Sequence, residues 1–345
     1  DRIQKLRQSI LDNAYDVRGG QELYKAVFTP KIQSALKGKS DLTILPDGAF
    51  SAVPFSVLVT STLATSSGSA TVNSSKSVSD NNAWLSDQYN IRYVPSLRML
   101  AERQLSASRR LVKFLGVGAP LLAPEPVLQV AMLDSATLMR GSTAKFEDVK
   151  ALPSLPYAQQ ELSDMAKLFK PRKTRLLVGG DATQAKLNGV DINKYDVISF
   201  ATHGLLSGEM SGLTEPALVL TPIENGGEGN DGLLTASEIS QLELNAEWVI
   251  LSACNTAGAE FVGGQGFSGL TRAFAYAGAK SQLVSHWPLR DDVAAKLTLS
   301  TLTKARQGMA KAEALNMAMR EIRNSAEIAN SHQPLTWAGF VLVGG

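Results

Sequence analysis

The stretch DVISFATHG, residues 196–204, decides the fold. Val197, Ile198, Phe200 and Ala201 lack the strict polar alternation of a half-buried strand, so the run reads as a strand covered on both faces. It breaks at Thr202-His203-Gly204, where an imidazole stands at the strand exit beside a glycine that lets another backbone approach. The same pattern recurs in VKFLGVG (112–118), TRLLVGG (174–180), EWVILSAC (247–254) and SQLVSHW (281–287), each a β-rich run ending in Gly, Cys or His. Helical patterns such as YAQQELSDMAKLF and GLTRAFAYAG lie between most of these runs. Short apolar strands joined by helical crossovers predict an α/β fold: a doubly wound, mostly parallel sheet with helices on both faces. Such sheets collect functional groups outside the carboxyl ends of their strands, which is where His203 and Cys254 fall.

Composition narrows the function classes. With 345 residues and 44% hydrophobic content the chain can bury a large core. Lys and Arg total 34 against 32 for Asp and Glu, so there is no broad basic field to hold nucleic acid or an anionic membrane. Nowhere does an apolar run approach the roughly 20 residues of a membrane span. One cysteine excludes an internal disulfide and suits a reducing compartment, from which a cytoplasmic location is expected. The opening DRIQKLRQSILDNAY sets Ile3, Leu6, Ile10 and Leu11 on one helical face, with no signal-peptide h-region. Because the chain opens on Asp1, residues 1–39 are expected to be the helical end of a longer upstream region.

Residues 60–82, almost all Ser, Thr, Asn, Ala and Gly, are expected to form a mobile surface loop. Ser96 can cap a helix running to about Arg109. PALVLTPIENGGEGNDGLLTASEI reads as an extended run, a Gly-rich acidic loop that can act as a flap near the strand ends, and a helix capped by Thr235 with Glu238 three residues on.

Singly, His203 and Cys254 each fit an ordinary structural role, a satisfied polar residue at a strand end and an inert buried thiol. Together, at the ends of two strands, they suit nucleophilic catalysis, because a thiol needs a neighbouring base or imidazolium to react at neutral pH. The histidine precedes the cysteine by 51 residues, close to the caspase spacing and opposite to the papain order. GGQGFSGLT lacks the lysine of a phosphate loop, and one Cys with three dispersed His (203, 286, 332) does not meet zinc spacing. The methionines at 309, 317 and 319 read as helix core filler.

The motifs ATHG, DGLLTASEI, VILSACNTAG, GFSGLTRAFAYAGA, WPLRDD and PLTWAGFVLVGG, with LPDGAFSAVPFSVL and LPYAQQEL upstream, resemble the CHAT family of caspase-like cysteine peptidases over about residues 40–345. The resemblance implies a caspase-like peptidase domain related to separases, often attached to TPR arrays, and regulated by an upstream region or partner. It implies His203 as general acid and base, Cys254 as nucleophile, and the backbone N–H groups of Gly204 and Cys254 as oxyanion donors. It further implies that Asp291 or Asp292 selects a basic residue before the scissile bond of a protein or peptide substrate, with no metal or organic cofactor. Those two aspartates equally suit a helix N-terminus. Two departures stand out: Gln265 where relatives commonly carry Glu, and His286 where they commonly carry Leu, the latter expected to be a strand residue facing away from Cys254. A non-catalytic interaction module on the same fold and a hydrolase of small esters or amides are the competing readings.

Overall fold

A computed structural model describes residues 2–62, 82–95, 110–122, 146–210, 212–224, 230–253 and 268–345. In chain order its strands are β1 (Asp41–Ile44), β2 (Val59–Thr62), β3 (Asn82–Trp84), β4 (Asn90–Tyr93), β5 (Phe114–Pro120), β6 (Thr174–Gly179) and β7 (Val197–Ala201). They continue with β8 (Gly204–Leu205), β9 (Ala217–Val219), β10 (Leu233–Thr235), β11 (Trp248–Ser252), β12 (Ser281–Ser285) and β13 (Phe340–Gly344). Eight of them form one sheet in the order β1-β4-β13-β12-β11-β7-β5-β6.

All pairs in this sheet are parallel except β12 with β13. The sheet is therefore two parallel blocks set antiparallel, and β12, β11, β7, β5 and β6 all point their carboxyl ends to one edge. Every residue of β7, β12 and β13 is buried, as the unbroken apolar runs require. Both faces are covered. Leu162 of helix Ala158–Lys167 reaches Gly116, which is paired with Ser199 of β7. Phe200, the next residue and so on the other face, packs its ring 5.4 Å from Phe274 of helix Gly269–Tyr276. Helices Asp291–Arg306 and Lys311–Arg323 adjoin Ala158–Lys167 in a row.

The N-terminal helix Arg2–Leu11 buries Leu6 and Ile10, two of the four residues that mark its apolar face, in the same core. The ends of the stretch expected as a mobile loop are strand instead: Ser61 pairs with Ala83 and Thr62 with Asn82. β-branched Val59 and Thr60 favour that pairing, and residues 63–81 lie outside the described residues. The proposed helix from Ser96 to about Arg109 lies outside them too. The Thr235 capping box is present, with Thr235 accepting from Glu238 N–H and Glu238 accepting from Thr235 N–H. Residues 225–229 of the acidic loop are not among those described, and the flanking runs pair as the antiparallel β8-β9-β10 sheet.

One glycine governs how closely β5 approaches β7 near the site. Gly118 has φ +156°, and a Cβ there would lie 2.0 Å from the carbonyl oxygen of Ala201, its register partner. Gly118→Ala is expected to force these strands apart and destabilise the fold by on the order of 2 kcal/mol, read by urea denaturation. An unchanged midpoint would mean that β5 shifts freely.

Candidate functional site

β7 ends at Ala201, and Thr202 carries the chain across the sheet edge. Its N–H donates to Ser252 O of the neighbouring β11 at 3.3 Å, and its hydroxyl donates to Val219 O. Both anchors fix the residue that follows, His203, which is partly exposed at the carboxyl edge. The imidazole Nε2 lies 2.7 Å from Pro153 O. A carbonyl only accepts, so this contact assigns the proton of a neutral ring to Nε2 and leaves Nδ1 as the free acceptor. Burial lowers the imidazole pKa, while the Pro153 carbonyl and the Asp291 carboxylate work in the opposite direction.

The same short segment that supplies Pro153 touches the other parts of the edge. Tyr157 N–H donates to Asp291 Oδ2 at 2.8 Å, tying the segment to the start of helix Asp291–Arg306. One helical turn on, Glu161 accepts from Ser252 Oγ at 3.0 Å and lies 2.6 Å from Thr298 Oγ1. Glu161 is 3% exposed. Burial pushes its carboxyl up to about 7, with the hydroxyls of Thr298 and Ser252 opposing and the charge of Asp291 adding to the rise. Sequence reading did not single out Pro153, Tyr157, Glu161 or Ser252. The available signal was a carboxylate on the apolar face of a helix, since Glu161 shares its buried stripe with Ala158, Leu162 and Met165.

The two aspartates of WPLRDD separate. Both open helix Asp291–Arg306, where acidic residues complement the helix dipole, but neither is the N-cap, which is Arg290. Asp292 is held by Arg290 in a forked pair, 3.1 Å from Nε and 2.8 Å from Nη2. Asp291 is half-buried and in electrostatic contact with His203. Burial raises the Asp291 carboxyl, against the Tyr157 N–H that favours its ionised form. Gly204 begins β8 and pairs with Leu218. Val219 N–H donates to His203 O, so this is a non-hydrogen-bonded pair and the Gly204 N–H points away from the ladder.

Cys254 and Gln265 lie outside the described residues. Ser252 and Ala253 mark the strand end that leads to Cys254, with Ser285 Oγ donating to Ala253 O. His286 follows β12 directly and is 1% exposed, with neither ring nitrogen in a hydrogen bond. Burial, aided by Arg7, drives its pKa down to about 3, so the ring is neutral. Among the described residues no group of three or more His, Cys, Asp or Glu could hold a metal ion, and no helix is long and apolar enough to cross a membrane.

A mixed sheet with this edge defines an α/β protein of the caspase-like class. The Arg specific cysteine proteinase gingipain R matches it with a TM-score of 0.51 at 10% identity, covering 95% of this chain and 67% of that one. Separase in the Saccharomyces cerevisiae separase–securin complex gives 0.44 at 12% identity, over 75% of this chain and 14% of the other. At such identities the likeness to gingipain R speaks to the fold alone.

The chain belongs to the CHAT domain family, whose model matches residues 17–345. Tetratricopeptide repeat protein 28 of Homo sapiens is 26% identical over 300 residues, 77% of this chain and 11% of that protein. Its Mus musculus counterpart is 35% identical over 112 residues, 32% of this chain and 4% of that protein. The chain thus spans about a tenth or less of the length of the curated relatives it matches.

Proposed function

We propose that this CHAT domain is a cysteine endopeptidase acting on a protein segment bound across the carboxyl edge of the sheet. The observation that carries the reading is the state of His203: its Nε2 is engaged by Pro153 O, which leaves Nδ1 free to take a proton, at the exit of the strand beside the one that leads to Cys254. In this mechanism Nδ1 takes the Cys254 proton, the thiolate attacks the peptide carbonyl, and the tetrahedral oxyanion forms against the Gly204 N–H, which the β-ladder leaves unused. The imidazolium then protonates the leaving amine, the thioester remains, and water activated by His203 releases the acyl group.

Cys254→Ala is expected to abolish cleavage of a co-expressed or peptide-library substrate with an unchanged thermal midpoint. Cleavage by that variant at the wild-type rate would end the peptidase reading. The second reading, a protein-binding module, is favoured by the relatives named for tetratricopeptide repeats, and it requires that partner binding survive in Cys254→Ala with no cleavage in the wild type.

For substrate preference the reading selects Asp291. Asp292 already has a cationic partner in Arg290, whereas Asp291 is half-buried, accepts from the Tyr157 N–H and lies in electrostatic reach of His203. A carboxylate there would pair with Arg or Lys before the scissile bond, a charge-assisted contact. In a peptide library, Asp291→Asn is expected to lower the preference for a basic residue by about tenfold or more, and Asp292→Asn to leave it nearly intact. An unchanged profile in Asp291→Asn removes that residue from the specificity pocket.

A further inference from the structure

The amino edge of the sheet, opposite His203, carries a charge that the proposed chemistry does not use. At the starts of β5, β6 and β7 lies a cleft of about 430 Å³ lined by Lys113, Arg172, Lys173, Arg175 and Lys194, with Asp191 as the one carboxylate in its lining. Lys194 takes that carboxylate in an ion pair. Asp196, the residue after Tyr195 of the lining, is occupied as well: its Oδ2 accepts from the Val112 and Lys113 N–H groups at 3.0 and 2.9 Å. Among the described residues Lys113, Arg172, Lys173 and Arg175 have no acidic partner.

General basicity does not explain this crowding. The chain has 34 Lys and Arg against 32 Asp and Glu, so four cations in one cleft without a counter-charge are a local concentration that the overall balance averages out. A concavity lined by one sign of charge focuses its field and draws in anions. The backbone that carries the cations is also fixed in advance. Leu115 pairs with Arg175 and Phe114 with Thr174 across β5 and β6. Lys113 O accepts from the Asp196 and Val197 N–H groups, and Lys173 N–H donates to Lys170 O at 2.8 Å, closing the turn Pro171–Lys173. A ligand has only side-chain ends to order, which keeps the cost of binding low.

The donor set specifies the ligand. Two guanidinium forks engage phosphate oxygens in pairs and two ammonium groups add point charges, so the cleft suits several negative charges held close together. A single carboxylate would neutralise only one of the four cations. The volume falls in the range of about 300–1,000 Å³ that small-molecule sites occupy. We propose that this cleft is a second binding site, for a small anion carrying clustered phosphates, with Arg172 and Arg175 as its forked partners and Lys113 and Lys173 completing the charge. Tyr195 precedes β7 and His203 follows it, so this site and the proposed peptide edge lie at opposite ends of one strand, roughly 15 Å or more apart. The proposal stands whether or not the chain is a peptidase.

The test is calorimetric titration of the chain with inorganic triphosphate at about 150 mM NaCl, where diffuse attraction is screened beyond about 8 Å. Saturable one-to-one binding is expected, weakened about tenfold or more in the Arg172→Ala, Arg175→Ala double variant. A Lys37→Ala, Lys39→Ala double variant loses the same charge next to β1, at the other end of the sheet from β6, and should bind as wild type does. Arg172 and Arg175 are exposed, so the fold should survive their loss. Should that variant not fold, the wild type decides by NMR: triphosphate should shift the amides of Lys113, Lys173 and Arg175 and leave those of Lys37 and Lys39 in place. ATP distinguishes the source of the phosphates, since ATP binding at least as tightly as triphosphate marks a nucleotide and tighter triphosphate marks a free oligophosphate. No saturable binding of either at millimolar concentration, equal losses in the two double variants, or capture of a single-stranded RNA oligonucleotide without triphosphate binding overturns the proposal.

Discussion

Replacing His203 by alanine is expected to slow peptide cleavage by about three orders of magnitude, because a positioned acid–base group supplies roughly 10²–10⁴-fold. The loss should appear in kcat with little change in KM, since in the proposed mechanism His203 acts on the proton of the nucleophile and not on substrate binding. The fold should survive. The side chain is partly exposed and, among the described residues, it hydrogen-bonds to Pro153 O, worth about 1 kcal/mol. Groups that act as a unit are not additive, so His203→Ala combined with Cys254→Ala should cleave no more slowly than Cys254→Ala alone. A His203→Ala protein within tenfold of wild type, with a matching thermal midpoint, would remove this residue from the chemistry.

The second large effect is on stability. The Glu161 carboxyl has an ordinary value of 4.5 and lies at about 7 in the folded protein. Between those values the folded state holds a proton that the unfolded chain has lost, so stability falls as pH rises through this window and levels off above about 7. The sign is opposite to that of a salt-bridged carboxylate. The loss is on the order of 3 kcal/mol, at about 1.4 kcal/mol per pKa unit. Glu161→Gln removes the ionisation while retaining an amide oxygen that can accept from the Ser252 or Thr298 hydroxyl. Urea denaturation at pH 5 and pH 8.5 should therefore show the variant gaining stability relative to wild type by on the order of 3 kcal/mol across that interval. Other titrating groups are common to both proteins and cancel in the difference. A difference that does not change with pH would mean that the carboxyl is ionised in the fold at both values.

Much of this architecture was legible because its signals are local. The runs around Val197–Ala201, Trp248–Ser252 and Ser281–Ser285 are strands buried on both faces, as their unbroken apolar character requires. Thr235 with Glu238, and Asp291 with Asp292, sit at helix starts because caps and dipoles act within one turn. The flanks of the Ser/Thr-rich stretch were misread: composition marks a segment as poor in apolar burial, whereas pairing of Thr62 with Asn82 depends on what the two ends meet. The same limit applies to His286, where a lone imidazole after a strand says nothing of whether water reaches it; the tertiary structure buries it with both nitrogens unpaired.

The sequence by itself determined that this protein is a parallel-sheet α/β chain with His203 and Cys254 following strands, since strand length, apolar continuity and the residues at each exit are properties of contiguous residues. Only the tertiary structure decided what surrounds that edge. Pro153 meets His203 across 50 residues, Glu161 meets Ser252 across 91 and Thr298 across 137, and Tyr157 meets Asp291 across 134. No periodicity or capping rule spans such distances. Those partners are brought together by the packing of one helix against the sheet and a second helix, and their desolvation, not their identity, makes Glu161 a carboxyl that titrates near 7.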